Sequence, residues 1–275
     1  MSRATGRFTV LHLSDVHATE SGELYGAVDG LARLRSVSDY ATEAGITPEI
    51  VLITGDLVQR ENPGAYAAFE LACRRLEHEL GAPVLTVLGN HDDPIAARTL
   101  TGHETSHFGV THIEDFRIVR LDSHTGSLGA EQLTWLADTI RAPYGRGTII
   151  AIHHAPLDSP LPALRKQGLR DADELLRVLR GSDVRALLAG HFHHPLSATA
   201  DGIPVFVGPS LAYHQVMDAD PDSVAGHDSP MFSLVRLTAH EVSVATVSLC
   251  EPQPLFRKPL TPAASASASA ALAER

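Results

Sequence analysis

The 275-residue chain sets 22 Lys and Arg against 33 Asp and Glu, a formal charge of −11, with 44% hydrophobic and 5% aromatic residues. That balance argues against a broad contact with a nucleic acid backbone, and two cysteines, Cys73 and Cys250, leave neither a disulfide framework nor a Cys-rich zinc site. No apolar run reaches the length of a membrane span, and the short apolar stretch in "MSRATGRFTVLHLSD" does not make a signal peptide, so the expected location is the cytoplasm.

Short apolar runs alternate with longer helical patterns. Strands are predicted over 8–13, 50–53, 84–88, 117–121, 148–152, 186–189, 205–207, 232–237 and 242–247. Helices are predicted over 29–44, 65–80, 130–141 and 172–179. Leu31, Leu34 and Val37 supply one face of the first helix, and Asp171 is placed to cap the last. The first half reads strand–helix–strand–helix–strand, the pattern of right-handed crossovers in a largely parallel sheet. The second half has more strands and fewer helices, which predicts an α/β fold of two packed sheets with helices outside. One domain over 1–250 is expected, followed by a Pro/Ala/Ser-rich, partly disordered tail over 251–275. The segment 216–230, "VMDADPDSVAGHDSP", reads as an acidic irregular loop.

The residues that end the apolar runs carry the chemistry. "FTVLHLSDVH" ends in Asp15 and His17, "IVLITGDL" in Asp56, and "VLTVLGNHDD" in Asn90 and His91. "TIIAIHHAP" ends in His153 and His154, and "ALLAGHFHH" in His191 and His193. One Asp after a Gly is an ordinary turn or helix cap. Five strand ends delivering carboxylate, imidazole or amide groups are not, because open α/β sheets bind ligands at their strands' C-terminal ends. Gly55, Gly89 and Gly190 each precede a candidate ligand, where a turn needs room. Asp, His and Asn donors without thiolate suit Fe, Mn, Zn or Co. Seven such groups are too many for one ion and natural for two that share a carboxylate. Two ions about 3.5–4 Å apart activate water and neutralise the oxygens around phosphorus, so the donor set points to phosphoester hydrolysis.

The series D-x-H, G-D, G-N-H-D, H-H and G-H-x-H, from Asp15 to His193, resembles the calcineurin-like metallophosphoesterase superfamily. "ELYGAVDG", "VLGNHDD", "IHHAP" and "VRALLAGHFHH" are further similar to the bacterial class III cyclic nucleotide phosphodiesterases of the actinobacterial type. The resemblance implies a two-sheet metallophosphoesterase sandwich (αββα) flanked by helices. It implies that Asp15, His17 and His193 bind a first metal, that Asn90, His153 and His191 bind a second, and that Asp56 bridges them. His91 is the implied catalytic group beside the phosphate, with Asn90 also touching substrate. His154, His194 and Asp92 are expected to support the site without ligating, and His124 to be a solvent-exposed loop residue. Gln59 stands where purple acid phosphatases carry their iron-binding Tyr, which argues against a tyrosinate site. The implied activity is hydrolysis of 3′,5′-cyclic AMP and of 2′,3′-cyclic nucleotides, with glycerophosphodiesters the leading alternative and a non-catalytic scaffold disfavoured because all seven ligand positions are chemically competent. The expected partners are a small cyclic nucleotide or phosphodiester and a second copy of the chain, with no nucleic acid polymer and no membrane.

Overall fold

The computed structural model describes residues 6–219, 223–250 and 255–256. Thirteen strands and four α-helices occur among them: β1 (Phe8–Leu13), α1 (Gly30–Glu43), β2 (Ile50–Thr54), α2 (Ala65–Leu80), β3 (Val84–Val87), β4 (Gly109–Ile113), β5 (Phe116–Arg120), α3 (Gly129–Thr139), β6 (Gly147–Ala151), α4 (Ala172–Leu179), β7 (Val184–Ala189), β8 (Leu196–Ala200), β9 (Ile203–Val207), β10 (His214–Gln215), β11 (Gly226–His227), β12 (Met231–Leu237) and β13 (Val242–Ser248). Apart from the tail, which lies outside the described residues except at Leu255 and Phe256, the predicted elements are all present.

The two sheets run β13-β12-β1-β2-β3 and β4-β5-β6-β7-β9-β8. β1, β2 and β3 are parallel, as are β5, β6, β7 and β9, while β12, β13, β4 and β8 add antiparallel edges. The alternation of strand side chains sorts the core into three layers. Phe8, Val10, Ile50 and Leu52 meet Phe116, Ile118, Ile149, Ala186 and Leu188 between the sheets. The intervening Leu11, Leu13, Val51 and Ile53 face outward to Leu34, Val37, Phe69 and Leu76 of α1 and α2. Val119, Ile150 and Leu187 pack on Leu136, Leu175 and Leu179 of α3 and α4. The result is an αββα sandwich in which β1–β3 and β6–β7 end on the same edge.

The helices start and stop for local reasons. Asp29 caps α1 by accepting from the Ala32 amide at 2.9 Å, and Leu34, Val37, Ser38 and Ala41 repeat at the spacing of one buried helix face. Gly81 ends α2 in left-handed backbone. Asp171 does not cap α4 as expected. Its carboxylate accepts from the amides of Leu128 and Gly129 at 2.9 Å each, and so caps α3, brought to it by the fold. The segment 216–230 is less irregular than its composition suggests, since Gly226–His227 pairs with His214–Gln215.

Candidate metal centre

Asp15 and His17 follow β1, Asp56 follows β2 and His193 follows β7. All four lie in left-handed backbone, at φ of 54°, 50°, 48° and 52°. Such backbone costs an ordinary residue about 1–3 kcal/mol and persists where surroundings enforce it. Here the Asp15 amide donates to the Gly55 carbonyl at 3.0 Å and the His17 amide to the Asp56 carbonyl at 2.9 Å, locking the two turns together. Gly89 and Gly190 permit the close approach: a Cβ on Gly89 would lie 2.3 Å from Asp56 Oδ1, and one on Gly190 would lie 1.9 Å from Ser14 Oγ.

These turns aim their donors at one point. His17 Nδ1 is 2.8 Å from Gln59 Oε1 and His193 Nδ1 is 3.2 Å from the Tyr213 carbonyl. Both partners are acceptors, so each ring carries its proton on Nδ1 and keeps a lone pair on Nε2. The two Nε2 atoms face each other at 3.2 Å. Asp15 Oδ1 lies 3.3 Å from His193 Nε2, and Asp56 Oδ2 lies 3.6 Å from His17 Nε2. Four electron-pair donors converging without a proton between them repel one another unless a cation takes the centre. Their separations suit one, since bonds of roughly 2.0–2.2 Å give polyhedron edges of roughly 3.0–3.5 Å. Asp15 Oδ1 is also buried without a hydrogen-bond partner, which native proteins rarely leave so.

A second group forms at the ends of β3, β6 and β7. His153 Nδ1 is fixed on the Thr54 carbonyl at 2.7 Å. Its Nε2 therefore faces Asn90 Oδ1 at 3.1 Å, His191 Nδ1 at 3.2 Å and Asp56 Oδ1 at 3.5 Å. The two oxygens of Asp56 thus look into different clusters. The backbone amide of His91 donates to Oδ1 at 2.8 Å and fixes the carboxylate plane between them. His154 offers a ligand atom within 4.8 Å of those of His153 and His191, nearer than a purely supporting role predicts, while its Nδ1 sits 3.1 Å from Ser123 Oγ.

The electrostatics follow the same layout. Burial opposes the charge on Asp15 and Asp56, yet the surrounding imidazoles outweigh it, His193 for Asp15 and His153 for Asp56, and hold both carboxyls below the usual carboxylate range. Burial would lower His153, but Asp56 beside it, helped by Asp15 and the Thr54 carbonyl, raises it to about 9. Burial brings His17 down to about 4, and burial with the neighbouring His153 brings His191 to about 4 and His154 to about 2.

Gln59 Oε1 accepts from two rings, His17 Nδ1 at 2.8 Å and His91 Nδ1 at 3.1 Å. The His91 ring stands edge-on to His17 with centroids 4.7 Å apart, so its Nε2 is the atom left for a substrate. Burial lowers the pKa of His91, with Arg60 and His153 adding to the effect and Asp56 opposing it.

All seven predicted metal-ligating residues, with His91, are brought together at this edge. Asp92 turns away and accepts from the amides of Leu57, Val58 and Gly89 and from the Tyr66 hydroxyl, stapling the β2 turn to the β3 turn. His194 bonds Ser159 Oγ at 2.9 Å and stacks on Phe192. His124 is half-buried rather than a free loop residue, because its Nδ1 pairs with Asp122 at 2.8 Å. Ser123 and Tyr213, which hold His154 and His193, carry no motif signal in the sequence, and Gln59 registers there only as a missing Tyr. The two cysteines take no part in either cluster.

Residues 8–195 match the family model described as calcineurin-like phosphoesterase. A "probable cyclic nucleotide phosphodiesterase" of Rhodococcus erythropolis is 38% identical over 228 residues, covering 80% of this chain and 76% of that protein. A "cAMP/cGMP dual specificity phosphodiesterase" of Mycobacterium tuberculosis is 37% identical over 231 residues, covering 80% and 73%. Among solved structures, a dimetal phosphatase from Danio rerio superposes with a TM-score of 0.63 at 15% identity, covering 89% of this chain and 97% of that one. At that identity the likeness concerns the fold.

Proposed function

Because the chain belongs to the calcineurin-like phosphoesterase family, we propose that it hydrolyses phosphodiesters at a dinuclear metal centre, with 3′,5′-cyclic nucleotides among its substrates. The observation that carries this reading is Asp56, whose Oδ2 faces His17 at 3.6 Å and whose Oδ1 faces His153 at 3.5 Å. Asp15, His17 and His193 would hold one ion and Asn90, His153 and His191 the other, with Asp56 common to both. The nitrogen and oxygen donors suit Fe, Mn or Zn. When bound, two such ions supply an activated water and neutralise the oxygens on phosphorus. The names of the two bacterial relatives support cyclic nucleotides as the diester class.

The protein's own groups do the rest. Gln59 anchors His91 through Nδ1 and so presents Nε2. Gln59 is a neutral amide and brings no charge of its own, so the negative charge of an incoming phosphate adds to that of Asp56 in favouring a proton on Nε2. From there it can pass to the leaving alkoxide, or stay and stabilise charge on a phosphoryl oxygen. Asn90 carries its amide beside the second cluster and His91 on the same turn, so one short segment serves both metal and substrate. Among the described residues no helix is long and apolar enough to cross a membrane.

The deciding assay uses metal-reconstituted protein against 3′,5′-cyclic AMP, 2′,3′-cyclic AMP, glycerophosphodiesters and nucleoside monophosphates. Turnover of diesters, 3′,5′-cyclic AMP included, is the expected result. Monoesters hydrolysed far faster than every diester would overturn the reading, and preference for glycerophosphodiesters would move the substrate class.

A further inference from the structure

A cavity of about 410 Å³ opens beside the first cluster, walled by Tyr25, Val28, Tyr213, Gln215 and Val224 among others. Its size falls within the roughly 300–1,000 Å³ of small-molecule sites. Tyr213 separates it from the metal centre: one side of this residue borders the cavity, and its ring lies 4.1 Å from the ring of His193 and 6.4 Å, nearly parallel, from that of His17. A ligand in the cavity therefore lies one aromatic ring away from the first cluster.

The second wall is held there at a cost. Tyr25 sits in left-handed backbone at φ 54°, followed by Gly26 at φ 66°. The turn is closed by Leu24 N to Val28 O at 2.9 Å and Val28 N to Leu24 O at 3.0 Å. A bulky residue at positive φ is a genuine outlier, and glycine would relieve it. What the strain achieves is the placement of an aromatic side chain: Tyr25 is 77% exposed and meets Tyr213 edge-on with centroids 5.8 Å apart. The sequence "ELYGAVDG" that makes this turn has no other part in the chemistry described so far.

The cavity is apolar and electrically quiet. Asp228 at its rim is paired with Arg33, which also bonds the Leu211 carbonyl at 2.9 Å. The Tyr213 hydroxyl stays protonated, because burial, Tyr25 and the carboxylates of the centre all raise its pKa. One amide lines the wall, Gln215, which is 6% exposed and whose Oε1 has no hydrogen-bond partner.

Resting on the cyclic nucleotide reading above, we propose that this cavity is the nucleobase subsite, with Tyr25 and Tyr213 supplying aromatic faces for the base and Gln215 the hydrogen bond to its edge. Stacking is sequence-tolerant because every base has a π-face. An amide can turn either its oxygen or its NH₂ to a partner, so one Gln serves the adenine and the guanine edge alike. The subsite therefore selects a purine over a pyrimidine by stacking area and discriminates weakly between purines.

The test uses full-length, Mn²⁺-loaded protein and Tyr25→Ala, an exposed position whose truncation leaves the core intact. KM for cyclic AMP should rise about tenfold, within the range that loss of one base–aromatic stack gives, and Tyr25→Trp should restore it. The ratio of kcat/KM for cyclic AMP to that for methyl p-nitrophenyl phosphate, which has no base, should fall by the same factor. Adenosine, which has the base without the phosphate, should bind the Mn²⁺-loaded protein in a calorimetric titration and bind Tyr25→Ala about tenfold more weakly. Cyclic AMP turnover with unchanged KM in Tyr25→Ala would overturn the subsite and leave the activity standing. If the wild type cleaves methyl p-nitrophenyl phosphate but no cyclic nucleotide, the activity reading fails, and the adenosine titration still decides the cavity.

Discussion

The first cluster, Asp15, His17, Asp56 and His193, stands entirely on left-handed backbone, whereas in the second, beside the shared Asp56, only His191 does, at φ 77°. The first is buried throughout, while Asn90, His91 and His191 at the second are half-exposed. Both imidazoles of the first cluster are tied through Nδ1 to an oxygen. In the second, His153 is tied in this way, but His191 Nε2 is buried without a partner. The difference separates two jobs. Strain and locked tautomers make the first cluster a preorganised holder, and the second, with fewer of both, is the more accessible at Asn90 and His91.

The largest expected effect removes what the clusters share. Asp56→Ala should abolish stoichiometric binding at both clusters and bring turnover to background, while Asn90→Ala should deplete chiefly the second ion. Elemental analysis of both variants tests this, and two fully retained ions in Asp56→Ala would break the bridging role. Next comes His91→Ala, which should lower kcat on substrates with poor leaving groups by about 10²–10⁴-fold with both ions kept. A nitrophenyl ester should lose less if His91 acts chiefly as an acid, and equally if it stabilises charge. Loss of an ion from this variant would make His91 a ligand.

Gln59→Ala probes the locked tautomers. Removing a hydrogen-bonding partner of a ligand typically costs about 10–100-fold in affinity or activity, and here one change frees His17 and His91 together. The first-cluster ion should weaken and kcat should fall, with the conservative Gln59→Asn recovering part of each. Unchanged metal affinity would mean that strained backbone alone positions His17.

The smallest effect is in pH. His153, raised to about 9 in the metal-free chain by Asp56, contributes stability that is complete below about pH 6.5 and is lost as pH rises through about 9. Ligation needs the neutral ring, so metal uptake releases this proton below pH 9. Affinity at the second cluster should climb about tenfold per pH unit between pH 7 and 9, then level. His17, lowered to about 4 by burial, has no proton to release over that range. Calorimetry in buffers of different ionisation enthalpy counts the protons, and equal release at both clusters would erase the contrast.

The sequence by itself determined the strand ends, the donors placed on them and the alternation that makes an αββα sandwich, because burying a parallel strand demands a continuous apolar run and a ligand-bearing turn breaks it abruptly. It did not reveal β4 and β8. Both lie at the edges of the six-stranded sheet and are only partly buried, "GVTHI" and "LSATA", so neither needs an apolar run to form. Tertiary structure alone decided which contacts cross the chain. Asp171 caps a helix 42 residues away, Gln59 holds His17 across the same interval, and Tyr213 reaches both the Tyr25 turn and His193. Local sequence states what a side chain can do at short range. A tautomer, a bridging carboxylate or a cavity wall belongs to neighbours that only folding brings within about 3–4 Å.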